Sequence, residues 1–100
     1  MNTKVFKVIL RQQAKRDLRK IWLKIATENL SAADRFLAKI DGRVLNLAEF
    51  PERGAVRNDL SDGLRMLIEG NYLIFYQTKT RSVEILRVVY GSRDLTKLFG

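Results

Sequence analysis

The segment YLIFY, residues 72–76, constrains this chain more than any other. Side chains of a β-strand alternate between the two faces of the sheet, so an unbroken apolar run must be covered on both sides. The run is flanked by Gly70-Asn71 and Lys79-Thr80-Arg81, each short enough for a hairpin turn. These turns join it to LRMLIEG on one side and to SVEILRVVY on the other. Three consecutive strands with a doubly covered centre require other elements to supply the layers.

Those elements precede the strands. KVFKVIL (4–10) mixes β-branched and aromatic residues with lysine and reads as a first strand. Lys4 and Lys7 suit a sheet edge, where charge discourages strand-to-strand association. In residues 11–29, Ala14, Leu18, Ile21 and Ile25 follow helical spacing, with Trp22 beside them. Arg11, Lys15, Arg16, Arg19, Lys20 and Lys24 crowd the rest of that helix. After a break at Asn29-Leu30, Ser31 and Asp34 have the spacing of a capping box for a second helix. Its apolar stripe runs through Ala33, Phe36, Leu37, Ile40, Val44 and Leu47 to about Phe50, where Pro51 stops it. Gly42 within it suggests a close helix–helix approach. Residues 51–63 form a polar connection, and SRDLTKLF forms a closing helical turn whose Leu95, Leu98 and Phe99 pack back. The order is β-α-α-β-β-β: an α+β fold in which a helical hairpin covers a small, curved, mostly antiparallel sheet. One hundred residues bound this to a single domain, residues 1–100.

The composition removes several chemistries. There is no cysteine, hence no disulfide and no thiolate nucleophile or zinc site. There is no histidine, the commonest general base near neutral pH and a common metal ligand. Glu49, Glu52, Asp59 and Asp62 lack the spacing of a metal site, so no metal or cofactor is expected. No stretch reaches the ~20 apolar residues needed to cross a membrane. The N-terminal residues show no secretory signal, and the expected compartment is the cytoplasm. A net charge of +8 attracts polyanions, whether nucleic acid, an anionic membrane or an acidic protein segment.

The combination of P-x-x-G at 51–54, G-L-R at 63–65, Y-L-I-x-Y at 72–76, I-L-R-V at 85–88 and G-x-R-D at 91–94 is specific. With the helical segments AKRDLRKIWLKIATEN and SAADRFLAKI, it resembles the RelE/ParE superfamily of bacterial toxins, and most of all its ParE branch. The resemblance covers nearly the whole chain. It implies a toxin of a type II toxin–antitoxin module, a cognate antitoxin partner and action on the host cell. RelE-type members cut messenger RNA in the ribosome, whereas ParE-type members inhibit DNA gyrase.

The RelE-type ribonuclease pattern, laid over this chain on Y-x-x-x-Y and G-x-R, puts its two lysines at Leu64 and Met66 and its strand arginine at Leu73. Its C-terminal arginine falls on Arg93 and its tyrosine on Phe99. One cation of the set survives, so no catalytic residue is assigned and the expected activity is non-enzymatic gyrase inhibition. A ribosome-dependent mRNA endonuclease, with Tyr90, Arg87 and Arg93 as a substitute set, and a non-toxic basic nucleic-acid-binding domain are the alternatives. Arg16, Arg19, Lys20 and Trp22 are the candidates for binding an acidic antitoxin segment, with a hetero-oligomer as the expected assembly. Tyr90 and Arg93 are the candidates for binding the target. Asp94 is expected to cap the last turn, and Arg57 and Arg65 to pair with Asp59 or Asp62.

Overall fold

A computed structural model describes residues 5–99. Its elements are β1 (Lys7–Leu10), α1 (Gln12–Ala26), α2 (Leu30–Asn46), β2 (Ala55–Val56), β3 (Leu64–Glu69), β4 (Tyr72–Thr78), β5 (Ser82–Tyr90) and α3 (Thr96–Phe99). The sheet order is β1-β5-β4-β3-β2, with β1 parallel to β5 and every other pair antiparallel. Lys7 lies on the edge strand as expected, whereas Lys4 lies outside the described residues.

β4 is central and covered on both faces, as its apolar run requires. Ile74 and Tyr76 point into a cluster with Ala14 and Leu18 of α1, and Ile40 and Val44 of α2. Leu73 and Phe75 point the other way, into a second cluster with Leu64 and Val89. That face is closed by Leu95, Leu98 and Phe99, so the C-terminal turn packs back as its sequence indicates. The two helices share one face and the terminal turn takes the other.

The β3–β4 hairpin turns on Gly70-Asn71, with Gly70 at φ +59°, a conformation that favours glycine. β5 carries an irregularity of its own. Phe75 pairs with Arg87 but Tyr76 pairs with Ile85, which leaves Leu86 as an extra residue. The slip changes the phase of the strand. Val83, Ile85 and Val88 therefore face the helices, while Leu86 and Val89 face the second cluster.

Several local expectations are corrected. Ser31 and Asp34 form no capping box: Asn29 is the N-cap of α2, and its side chain accepts the Ala32 N–H at 2.9 Å. Ser31 Oγ instead accepts from Arg35, and Asp34 accepts from the Trp22 indole. The helix ends at Asn46, earlier than Phe50, and the Leu47 and Ala48 amides close its last turn with bonds to Val44 and Leu45. Gly42 marks no close approach, because a Cβ built there meets nothing within 4 Å. The 51–63 connection is not all loop, since Ala55 and Val56 pair with Met66 and Arg65 as β2.

That connection is pinned from below by the fully buried Tyr76. Its hydroxyl donates to Pro51 O at 2.8 Å and accepts the Gly54 N–H at 2.7 Å. Gly54 leaves room for this contact, for a Cβ there would sit 2.6 Å from the ring and the hydroxyl. Gly54→Ala should therefore lower stability by about 1–3 kcal/mol through overpacking. Gly42→Ala should raise it by about 0.5–1 kcal/mol, because the exposed helical site has free space. Urea denaturation of the two variants checks both signs.

Burial raises the Tyr76 pKa above its ordinary value of 10.0, against a smaller opposing effect of the Gly54 N–H bond. The folded chain thus keeps a proton that the unfolded chain loses near pH 10. This contribution is fully present below about pH 10 and is lost as pH rises through the folded value. Stability should decline more steeply above pH 10 in the wild type than in Tyr76→Phe, as read by denaturation midpoints across pH 9–11.5.

Candidate functional site

β1 pairs with β5 only from Ser82 to Ile85, and the outer edge of β5 beyond that point would be bare. Asp17 of α1 fills this position. Its carboxylate accepts the Val88 N–H at 3.0 Å and two bonds from the Arg87 guanidinium, at 2.7 and 3.0 Å. Gln13, one helical turn earlier, adds a fourth bond at 3.2 Å. Asp17 is 6% exposed, so a charge there requires this degree of satisfaction. The extra residue in β5 sits next to Arg87, at the point where the strand meets Asp17.

Above this clamp lies a cleft of about 160 Å³ between α1 and the end of β5. Lys20, Ile21 and Lys24 line it from the helix, Tyr72, Val88, Val89 and Tyr90 from the sheet, and Arg93 from the following turn. The Tyr72 ring packs on Phe36 of α2 at 4.9 Å and meets Tyr90 edge-on at 5.6 Å. Burial, with a smaller effect from Tyr90, raises the Tyr72 pKa, so its hydroxyl stays protonated near neutrality. Tyr90 is half exposed.

The structure brings Lys20 together with Tyr90 and Arg93, although the sequence reading placed them in separate sets. Arg19 and Trp22 line a different, shallow hollow with Leu18 and Leu37. Arg16 is exposed on α1 outside both. Trp22 is half-buried, and its indole N–H donates to Asp34 at 3.2 Å, which ties α1 to α2.

The strand end is built as a stop. Gly91 N–H crosses to Asn71 O at 2.8 Å, and Arg93 N–H returns to Tyr90 O at 3.1 Å. Asp94 accepts from the Thr96 N–H and hydroxyl at 3.2 and 2.7 Å, the cap that its position suggests. Its neighbour Arg93 forms no ion pair among the described residues. Arg57 pairs with Asp59, whose carboxyl the guanidinium holds below the usual range. Arg65 does not pair with an acid as expected; it donates to the carbonyls of Glu52 and Gly54.

A larger hollow of about 390 Å³ is lined by the single segment Glu49–Arg53, where Arg53 stacks over Phe50 at 5.0 Å. Among the described residues there is no cluster of acidic, histidine or cysteine side chains able to hold a metal ion.

Four of the five positions of the RelE-type ribonuclease set fall on the opposite face of the sheet from α1, and the fifth, Arg93, lines the cleft beside α1. Leu64 and Leu73 are buried on that opposite face with Phe75, and Met66 and Phe99 pack against them. The Phe75 and Phe99 rings meet edge-on at 4.9 Å.

Residues 8–95 match the model of the ParE toxin of the type II toxin–antitoxin system parDE. The chain belongs to the ParE toxin family. Among solved structures, it is similar to a chain of a chromosomal ParDE toxin–antitoxin system from P. aeruginosa, with TM-score 0.75 and 21% identity over 87% of this chain and 97% of the other. It is also similar to a chain of the RelBE2 toxin–antitoxin complex from Mycobacterium tuberculosis, with TM-score 0.66 and 24% identity over 89% and 94%. A search of curated proteins finds no match. The helical hairpin on a curved sheet is thus the fold of this family of toxins.

Removing the clamp tests how much the ParE fold leans on it. Asp17→Ala strands a mostly buried guanidinium and an edge amide, and should cost about 3–5 kcal/mol. Arg87→Met in the Asp17→Ala background should recover part of that loss. A double-mutant cycle by urea denaturation reads the coupling, expected at about 1–3 kcal/mol.

Proposed function

We propose that this ParE-family toxin acts in the cytoplasm by inhibiting DNA gyrase, without cutting RNA, and that an antitoxin with an acidic segment silences it. The observation that carries the non-enzymatic part is the apolar packing of Leu64, Met66, Leu73 and Phe99 against the sheet. Cleavage of RNA without histidine needs a positioned base for the 2′-hydroxyl, cations for the phosphate and an acid for the leaving group. Here those positions carry no titratable group, and the C-terminal turn covers the face they occupy. Arg93 cannot replace the set, because a guanidinium stays protonated and can neither accept nor shuttle a proton. Losing one well-placed group that stabilises transition-state charge typically costs ~10²–10³ in rate, and most of the set is missing.

The antitoxin partner is supported by the family and by the neighbours, one a ParDE toxin–antitoxin system and the other a RelBE2 toxin–antitoxin complex. A net charge of +8, with Arg16, Arg19 and Lys20 exposed on α1, favours an acidic segment folding onto the hairpin.

Purified protein assayed side by side should block gyrase supercoiling and leave mRNA intact on programmed ribosomes. Cells expressing it should show DNA damage before translation falls. Cleavage in the ribosomal A site that is lost in Arg93→Ala would replace this reading with the endonuclease.

A further inference from the structure

The cleft above the Asp17–Arg87 clamp holds more positive charge than the fold neutralises. Lys20 and Lys24 stand one helical turn apart on the same side of α1, and Arg93 enters from the turn after β5. None of the three has an ion-pair or hydrogen-bond partner for its side chain among the described residues. The one acid in the lining, Asp17, is already spent on Arg87 and the Val88 amide. Three cations therefore converge with no anion to meet them. The walls between them are apolar or aromatic: Ile21, Val88, Val89 and the ring pair Tyr72–Tyr90.

We infer that this cleft is a docking pocket for a carboxylate side chain on the acidic segment of the antitoxin, which Lys20, Lys24 and Arg93 receive while Tyr90 packs on the segment's backbone. The inference rests on the toxin–antitoxin reading above and gives its partner a defined point of entry. The volume, about 160 Å³, suits one or two side chains. Tyrosine and arginine beside a small apolar floor form the kind of site that dominates protein–protein recognition. A nucleic-acid strand fits less well. Sequence-tolerant strand binding stacks successive bases on several exposed rings. Among the residues that line the cleft, Tyr90 is the one exposed aromatic ring, because Tyr72 is held between Phe36 and Tyr90. The pocket also joins Lys20 to Tyr90 and Arg93, so an antitoxin seated there would cover the end of β5 directly.

The test uses the full chain and a fluorescein-labelled octaglutamate peptide at low salt, with a labelled dT8 oligonucleotide as the second probe. Lys20→Glu/Arg93→Glu should weaken peptide binding by about tenfold or more. Lys39→Glu/Lys79→Glu changes the net charge equally at exposed positions away from the cleft, and should weaken it no more than about twofold. All four sites are exposed, and a two-dimensional NMR spectrum verifies that each variant is folded. In the wild type, the peptide should shift the Tyr72 and Tyr90 ring resonances before any other aromatic signal. Equal weakening in the two double variants, or no aromatic shift, would reduce the cleft to part of a diffuse basic field. Tighter binding of dT8 with the same dependence on Lys20 and Arg93 would assign the cleft to nucleic acid. Supercoiling assays on the wild type keep the two readings apart. Gyrase inhibition without cleft binding removes only the pocket, and cleft binding without gyrase inhibition removes only the gyrase target.

Discussion

One carboxylate decides how the helical hairpin sits on the sheet. Asp17 takes the place of a strand partner where β1 runs out, and the Arg87 guanidinium makes its charge tolerable at 6% exposure. A buried ion pair is a weak source of net stability, since desolvation offsets most of the attraction. Its value here is geometric: four hydrogen bonds from Gln13, Arg87 and Val88 fix where α1 crosses β5. Arg43 of α2 does the corresponding task at the other side of the sheet. β2 covers only Arg65 and Met66 of β3, and Arg43 donates to the carbonyl of Ile68 at 3.1 Å just beyond it. A helix-borne charge thus blunts each sheet edge where its short outer strand ends, which discourages pairing with another chain.

The elements that periodicity controls were legible in the sequence. The run 72–76, the Gly70-Asn71 turn, the two amphipathic helices and the return of Leu95, Leu98 and Phe99 all follow from local pattern. The clamp was not legible, because its partners are 70 residues apart and an aspartate on a basic helix reads as a solvated charge. A hint existed: Asp17 is the only acid among residues 11–27, and it adjoins Leu18 on the apolar side. The capping error has a similar source. Asn29 and Ser31 are both good caps by residue type, and the Trp22–Asp34 bond across the hairpin is not visible in local spacing. β2 is two residues long and leaves no period to read. The candidate site was half legible, for Lys20, Tyr90 and Arg93 were each singled out, while their meeting in one cleft depends on the tertiary crossing.

The two faces of the sheet have been put to different uses. On the face away from the helices, Leu64, Leu73, Phe75 and Val89 are buried beneath Leu95, Leu98 and Phe99. The surface beside α1 is polar and open, and it gathers cations above a neutralised floor.

The parallel pairing of β1 with β5 has a consequence for how the molecule comes into being. β5 is the last strand of the sheet to be synthesised, yet it lies between β1 and β4. The first strand can pair with its neighbour in the sheet only after α1, α2 and β2–β4 have been made. α1 and α2, which pack on each other through local contacts, can pair much earlier and wait. The cleft beside α1 does not exist until β5 arrives, because Val88, Val89, Tyr90 and Arg93 form one of its sides. A nascent chain that stops short of β5 carries the basic helix without the pocket.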